Sequence, residues 1–222
     1  GAVRGGGEPG RRALRGGLLS GRGGGGGAWG VWREGLEGVE DYLAFVERLL
    51  RLGRREEALR YAEEAVAWFG KDPRLLPLLD LLVAHRGGVE DHRARFRLRP
   101  NLEDYLALKA KLGRTFAEER PRLLRQVQDP ALLARIHLLE EDWKALDRLL
   151  KRASPEVYPA LAAALEERLP QEAARLYLEA AKARVEAGGR AAYREAAGLL
   201  GRLARLDPKR AREAAWGLVR AY

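Results

Sequence analysis

Cysteine and methionine are both absent from the 222 residues. Without thiolates there is no disulfide framework and no zinc site of the cysteine kind. Serine and threonine are almost as scarce: Ser20, Thr115 and Ser154 complete their inventory, so a serine or threonine nucleophile has few places to sit. No apolar run approaches the roughly 20 residues that span a bilayer. No apolar core of a secretory signal follows the N-terminal arginines either, and a cytoplasmic location is the expectation. The missing oxidisable side chains, beside many Arg and Glu, suit a heat-tolerant protein.

Histidine is rare too. His85, His92 and His137 are the three in the chain, and no two stand three or four residues apart, so no metal site is expected. Paired acids occur at Glu63-Glu64, Glu118-Glu119 and Glu140-Glu141-Asp142. Neighbours on a helix diverge by about 100°, so these carboxylates do not converge for acid-base work and read as a solvated face. No cofactor, catalytic residue or enzymatic activity is expected from this set.

What the chain has in quantity is Ala, Leu, Glu and Arg, the strong helix formers, with 46% hydrophobic and 33% charged residues. The net charge of +9 is uneven. Residues 1–27 carry five arginines against Glu8 and 13 of the 26 glycines. Such a stretch buries too little apolar surface to offset its backbone entropy, so residues 1–35 read as a flexible Gly/Arg-rich segment. Its Arg-Gly-Gly triplets at Arg4, Arg15 and Arg22 offer a weak nucleic-acid tail.

From about residue 36 to residue 222 the apolar spacing is helical, and one helical-repeat domain is expected there. Val39, Tyr42, Leu43, Phe45, Val46, Leu49 and Leu50 share one broad face; Ala58, Leu59, Ala62, Ala65, Val66 and Phe69 share another. Gly53 and Gly70 end these two helices, and Asp72-Pro73 opens the next. Further breaks fall at Gly87-Gly88, Arg99-Pro100, Gly113, Asp129-Pro130, Ser154-Pro155, Leu169-Pro170, Gly188-Gly189 and Asp207-Pro208. Asp129, Ser154 and Asp207 each stand as an N-cap before a proline at the first helical position. The fold class expected is all-α: about ten or eleven helices in antiparallel pairs, stacked as an α-solenoid.

The stretch "HRARFRLRP" (92–100) alternates arginine like a basic strand, yet a strand amid helices has no partner for its backbone. A helix from Val89 to Leu98 fits instead, with Val89, His92 and Phe96 on one face and Pro100 ending it. Arg86, Arg93, Arg95, Arg97 and Arg99 form the densest basic cluster and are the candidate contacts to a polyanion or a partner. Pairing with nearby Glu competes with that use. Among the aromatics, buried helix faces account for Tyr42, Tyr61, Phe69, Phe96, Tyr105, Phe116, Trp143, Tyr158, Tyr177, Tyr193 and Trp216. Trp68, about 100° from Phe69 on its helix, is the candidate for an exposed partner contact.

The hairpin "LGRREEALRYAEEAVAWFGKDP" resembles a tetratricopeptide unit, with Gly53, Ala58 and Ala65 at its close-packing positions. Four segments together resemble the helical C-terminal region of the bacterial SWIM zinc-finger family. They are "ALRYAEEAVAWFGKDPRL", "ARFRLRPNLEDYLALKAKLG", "EEDWKALDRLL" and "LPQEAARLYLEAAKARVEAGGRAAYREAAGLLGRLARL". The last is similar to the family's closing hairpin, with Tyr177 on one helix and Tyr193, Arg194, Glu195, Ala196 and Ala197 on the next. The likeness covers about residues 40–206. The family's Cys-x-Cys…Cys-x-His finger has no counterpart in a chain without cysteine. The resemblance therefore implies the helical scaffold and not recognition by a finger. The function expected is a non-enzymatic scaffold that binds another protein, with association to nucleic acid through the Gly-Arg segment and the Arg93–Arg99 cluster as the alternative.

Overall fold

In the first helix, α1 (Val39–Arg51), the buried side chains are Val39, Tyr42, Phe45, Val46 and Leu49, the stripe that a 3.6-residue period places on one side. Asp41 closes its N-terminus, accepting hydrogen bonds from the backbone N–H of Gly38 at 2.8 Å and of Glu37 at 3.1 Å. Gly53, at φ 74°, then reverses the chain in a conformation open to glycine at no steric cost. Helix α2 (Arg55–Phe69) buries Ala58, Tyr61, Ala62 and Ala65. Its small side chains let it lie close against α1, and Phe45 meets Tyr61 edge-on with ring centroids 4.8 Å apart. The expected first hairpin forms.

The computed structural model describes residues 36–221, and the expected Gly/Arg-rich segment at residues 1–35 lies outside them. After a 3₁₀ turn at Pro73–Leu75 come α3 (Leu76–His85), α4 (Val89–Leu98) and α5 (Leu102–Leu112). A second 3₁₀ turn, Gly113–Thr115, leads to α6 (Phe116–Leu124), α7 (Pro130–Leu139), α8 (Trp143–Arg152) and α9 (Tyr158–Leu165). The long pair α10 (Pro170–Ala187) and α11 (Arg190–Leu206) is followed by α12 (Pro208–Ala221). Among the described residues there is no strand. Each helix from α1 to α5 packs on the next, the path continues from α5 to α7 and from α7 to α9, and α9 to α12 again stack in order. Helix α8 rests against α7, to one side of that path. The fold is the expected all-α, solenoid-like array of neighbouring helix pairs.

The apolar interior is divided into three clusters. The first joins α1, α2 and α3 through residues such as Leu49, Ala62, Leu79 and Leu82. The second joins α4 to α7 through Phe96, Tyr105, Leu108, Phe116 and Ile136. The third runs from α7 to α12 and holds Ala134, Leu138, Leu161, Leu165, Tyr177 and Leu203. Helix α7 serves two clusters because Ile136 and its neighbours Ala134 and Leu138 belong to different faces. Each segment of the array thus rests mainly on its neighbours, as in repeat proteins.

Capping follows the sequence at most breaks. Asp129 accepts from the Ala131 N–H at 2.9 Å, and Asp207 from the Arg210 N–H at 3.0 Å. Ser154 departs from expectation: α9 begins at Tyr158, and residues 154–157 form a turn closed by Val157 N–H to Ser154 O at 3.1 Å. A break that no glycine or proline announces separates α7 from α8. There Asp142 caps α8 by accepting from the Ala145 N–H at 3.1 Å, and exposed Glu141 sits at φ 54°. A left-handed non-glycine residue costs about 1–2 kcal/mol. Glu141→Gly is expected to raise stability by roughly 0.5–1 kcal/mol, read as a higher urea midpoint at unchanged slope.

Candidate functional site

The arginine-rich stretch is helix α4, bounded as expected by Val89 and Leu98, with Arg99 the capping residue before Pro100. Asp91 caps it through the Gly88 N–H at 3.1 Å. Four of the five candidate arginines are taken up by carboxylates of the chain itself. Arg86 pairs with Glu63 and, at 2.7 Å, with Asp91. Arg93 makes a fork-to-fork pair with Glu119 of α6, Nε to Oε1 and Nη2 to Oε2 each at 2.6 Å, and also meets Glu90. Arg99 stands 3.5 Å from Asp80. Arg95 is buried, not on the surface, and donates to Asp104, to Asp80 at 3.0 Å and to Glu103 at 2.8 Å. Arg97 makes no side-chain hydrogen bond or ion pair among the described residues and is exposed. Trp68 is half-buried on α2.

The centre of this arrangement is Asp104, which is fully buried at the start of α5. Asn101 caps α5 by accepting from the Asp104 N–H at 2.8 Å, and its amide donates to Oδ2 at 2.6 Å. Arg95 donates to Oδ1 from Nη2 at 2.7 Å and to Oδ2 from Nε at 2.9 Å. His92 Nδ1 lies 2.6 Å from Oδ1. Burial alone pushes the carboxyl up, but the hydrogen bonds from Arg95, His92 and Asn101 outweigh it and hold Asp104 below the usual 3.8. The same bonds to Asp104 raise the Arg95 guanidinium.

A carboxylate-oriented imidazole is half of a hydrolytic relay. The other half is not beside it. The ring is buried, and Gly87 lies near its free nitrogen, where an added Cβ would come within 3.7 Å of Nε2. Among the described residues the serine and threonine hydroxyls are Thr115, which donates to Leu112 O at 2.9 Å, and Ser154 in its turn. The network fastens α3, α4 and α5 to one another. Because its folded pKa is depressed, Asp104 contributes stability that is full above its unfolded value of about 3.8 and is lost as pH falls through the lower folded value. The stability gap between wild type and Asp104→Asn is expected to narrow as urea titrations move from pH 6 to below about 4.

His137 is the other buried histidine. Burial pushes its imidazole below the usual range against the weaker pull of Asp142, 4.0 Å away. His85 meets Arg55 at the surface. Among the described residues no group of three His, Asp or Glu is arranged to hold a metal ion, and no helix is long and apolar enough to cross a membrane.

The apolar surface differs more from expectation. Trp143, Tyr193 and Trp216, read as core residues, are exposed by 49%, 46% and 62%, while Leu106 and Leu139 are exposed by 42% and 43%. Trp143 opens α8, whose main packing partner is α7, and about half of its side chain is left uncovered. An ion pair between Lys109 and Glu140 at 2.9 Å ties the face of α5 that carries Leu106 to the α7–α8 turn that carries Leu139 and Trp143. Leu106 stands three residues before Lys109, and Leu139 and Trp143 stand one residue before and three after Glu140, so three exposed apolar side chains lie near the two ends of one interhelical salt bridge. Sequence spacing missed them because it marks a stripe as apolar without showing where the covering helix ends.

Fold and surface define a class: an all-α array of helix pairs with internally paired arginines and an apolar patch at the α5–α7 junction. No family model matches the chain, and no curated protein matches it.

Proposed function

We propose that the chain is a non-enzymatic helical-repeat scaffold that binds a protein partner. The observation that carries this reading is the exposed set Leu106, Leu139 and Trp143, held on a rigid frame of packed helices. Tryptophan and large aliphatic groups at the centre of a patch supply most of the energy in protein interfaces, whereas phosphate contacts draw on free cations. Arg86, Arg93 and Arg95 already donate to carboxylates of this chain, and Arg99 stands 3.5 Å from Asp80. That pairing counts against the nucleic-acid alternative. The resemblance to the helical region of the SWIM zinc-finger family supports the scaffold reading in the same sense, as a frame without chemistry of its own.

The test is affinity capture with the full chain as bait, after nuclease treatment and at about 0.5 M salt, where the Debye length is only a few ångströms. One defined protein is expected to remain bound, and to be lost with Trp143→Ala and Leu139→Ser together. Retention that nuclease abolishes, or that ignores both substitutions, would remove this reading. Self-association lost with the same substitutions would assign the patch to a second copy instead.

A further inference from the structure

A cleft of about 630 Å³ opens between the turn after α2, the last turn of α4 and the end of α6, lined by Lys71, Pro73, Arg97, Leu98, Arg122 and Gln126. Its size falls within the roughly 300–1,000 Å³ of small-molecule sites. Lys71, Arg97 and Arg122 are exposed, and none has a side-chain hydrogen bond or ion pair among the described residues. Asp72 and Glu40 are paired with Arg74, Glu119 and Glu90 with Arg93, and Glu103 with Arg95. Glu118 and Glu119, one turn before Arg122 on α6, offset part of its charge without forming an ion pair to it. In a chain that pairs most of its interhelical arginines, three cations from three separate elements have been left facing one cleft. Their mutual repulsion is relieved by a bound anion. Gln126 completes the lining, its Oε1 buried away from solvent. Pro73 and Leu98 supply apolar wall.

We propose that this cleft binds a small phosphate-bearing ligand, its phosphates held by Arg97, Arg122 and Lys71. Guanidinium forks match phosphate oxygens two at a time, and an ammonium adds a point charge. The site is separate from the Leu106–Leu139–Trp143 patch, and its assignment does not depend on the scaffold reading.

The experiment is calorimetric titration of the full chain at low salt with ATP and with tripolyphosphate, which lacks the sugar and base. Both are expected to bind saturably at one site and to weaken as salt rises. Arg97→Glu with Arg122→Glu is expected to lower affinity by roughly tenfold or more. Arg114→Glu with Arg135→Glu makes the same charge change at exposed positions outside the cleft and is expected to leave most of the affinity. All four residues are on the surface, and an unchanged circular dichroism spectrum confirms that each variant folds. Absence of saturable binding by either probe, or an equal loss in the control pair, overturns the proposal.

Discussion

Asp104→Ala is expected to destabilise the protein by about 3–5 kcal/mol, the range for removing one partner of a buried ion pair. Asp104 is fully buried and answers three donors at once, from Arg95, His92 and Asn101. Its removal leaves the Arg95 guanidinium, itself buried, with only the more exposed Asp80 and Glu103 to meet. Uncompensated charge is the mechanism, and it has a signature. Replacing both partners, as Arg95→Met with Asp104→Leu, is expected to recover much of the loss, because a buried pair exchanged for apolar side chains is often close to neutral. Chemical denaturation of the wild type, the single variant and the double variant decides the matter. A double variant less stable than Asp104→Ala would show that the network contributes through direct attraction and not through the avoidance of an orphaned charge.

Leu161→Ala is expected to cost about 2–5 kcal/mol, the usual penalty for emptying a fully buried leucine site, and the loss is expected to be local. Leu161 is inaccessible to solvent in the cluster that runs from α7 to α12. The cluster joining α1 to α3 shares no side chain with it. In an array stabilised by nearest-neighbour contacts, opening one segment leaves distant segments closed. Hydrogen exchange followed by mass spectrometry should show faster exchange in α9 to α11 with little change in α1 to α3. Equal acceleration in both regions would mean that the array unfolds as a single unit, with α4 to α7 transmitting the loss undiminished.

Much of this architecture was legible in the sequence because it is written in local terms. Gly53, Gly70, Asp72-Pro73 and Asp129-Pro130 act on their own backbone, so each turn or cap is legible without knowing what packs against it. The strand-like pattern of Arg93, Arg95 and Arg97 gave way to a helix for the same reason, since Glu90, Asp91 and Pro100 mark its two ends. The turn at Glu140–Asp142 was harder. It has no glycine or proline, and the left-handed residue is Glu141, stabilised by the cap that Asp142 provides and by the seating of α8 on α7.

The surface was less legible than the fold, for a physical reason. Whether an arginine is a contact or a staple depends on carboxylates that the fold brings from elsewhere. Glu119 reaches Arg93 from α6, and Asp80 reaches Arg95 from α3, at separations of 26 and 15 residues. Asp104 could be seen as a first-turn acid on α5, but not as the buried centre of a network. Arg97, one residue from Phe96 on the same helix, is exposed and has no carboxylate opposite, unlike half-buried Arg93 and buried Arg95. Trp143 belongs by its spacing to a buried helix face, yet it is half exposed while Leu146, one turn later on α8, is buried.

Site-specific photo-crosslinking in the native cell, with p-benzoylphenylalanine in place of Trp143, is the most direct trial of the proposed role. A crosslink to one defined protein is predicted from position 143, reduced by Leu106→Ser or Leu139→Ser and missing from the exposed control position Arg114. Crosslinks to nucleic acid alone, or the same protein profile from both positions, would contradict a docking face at the α5–α7 junction.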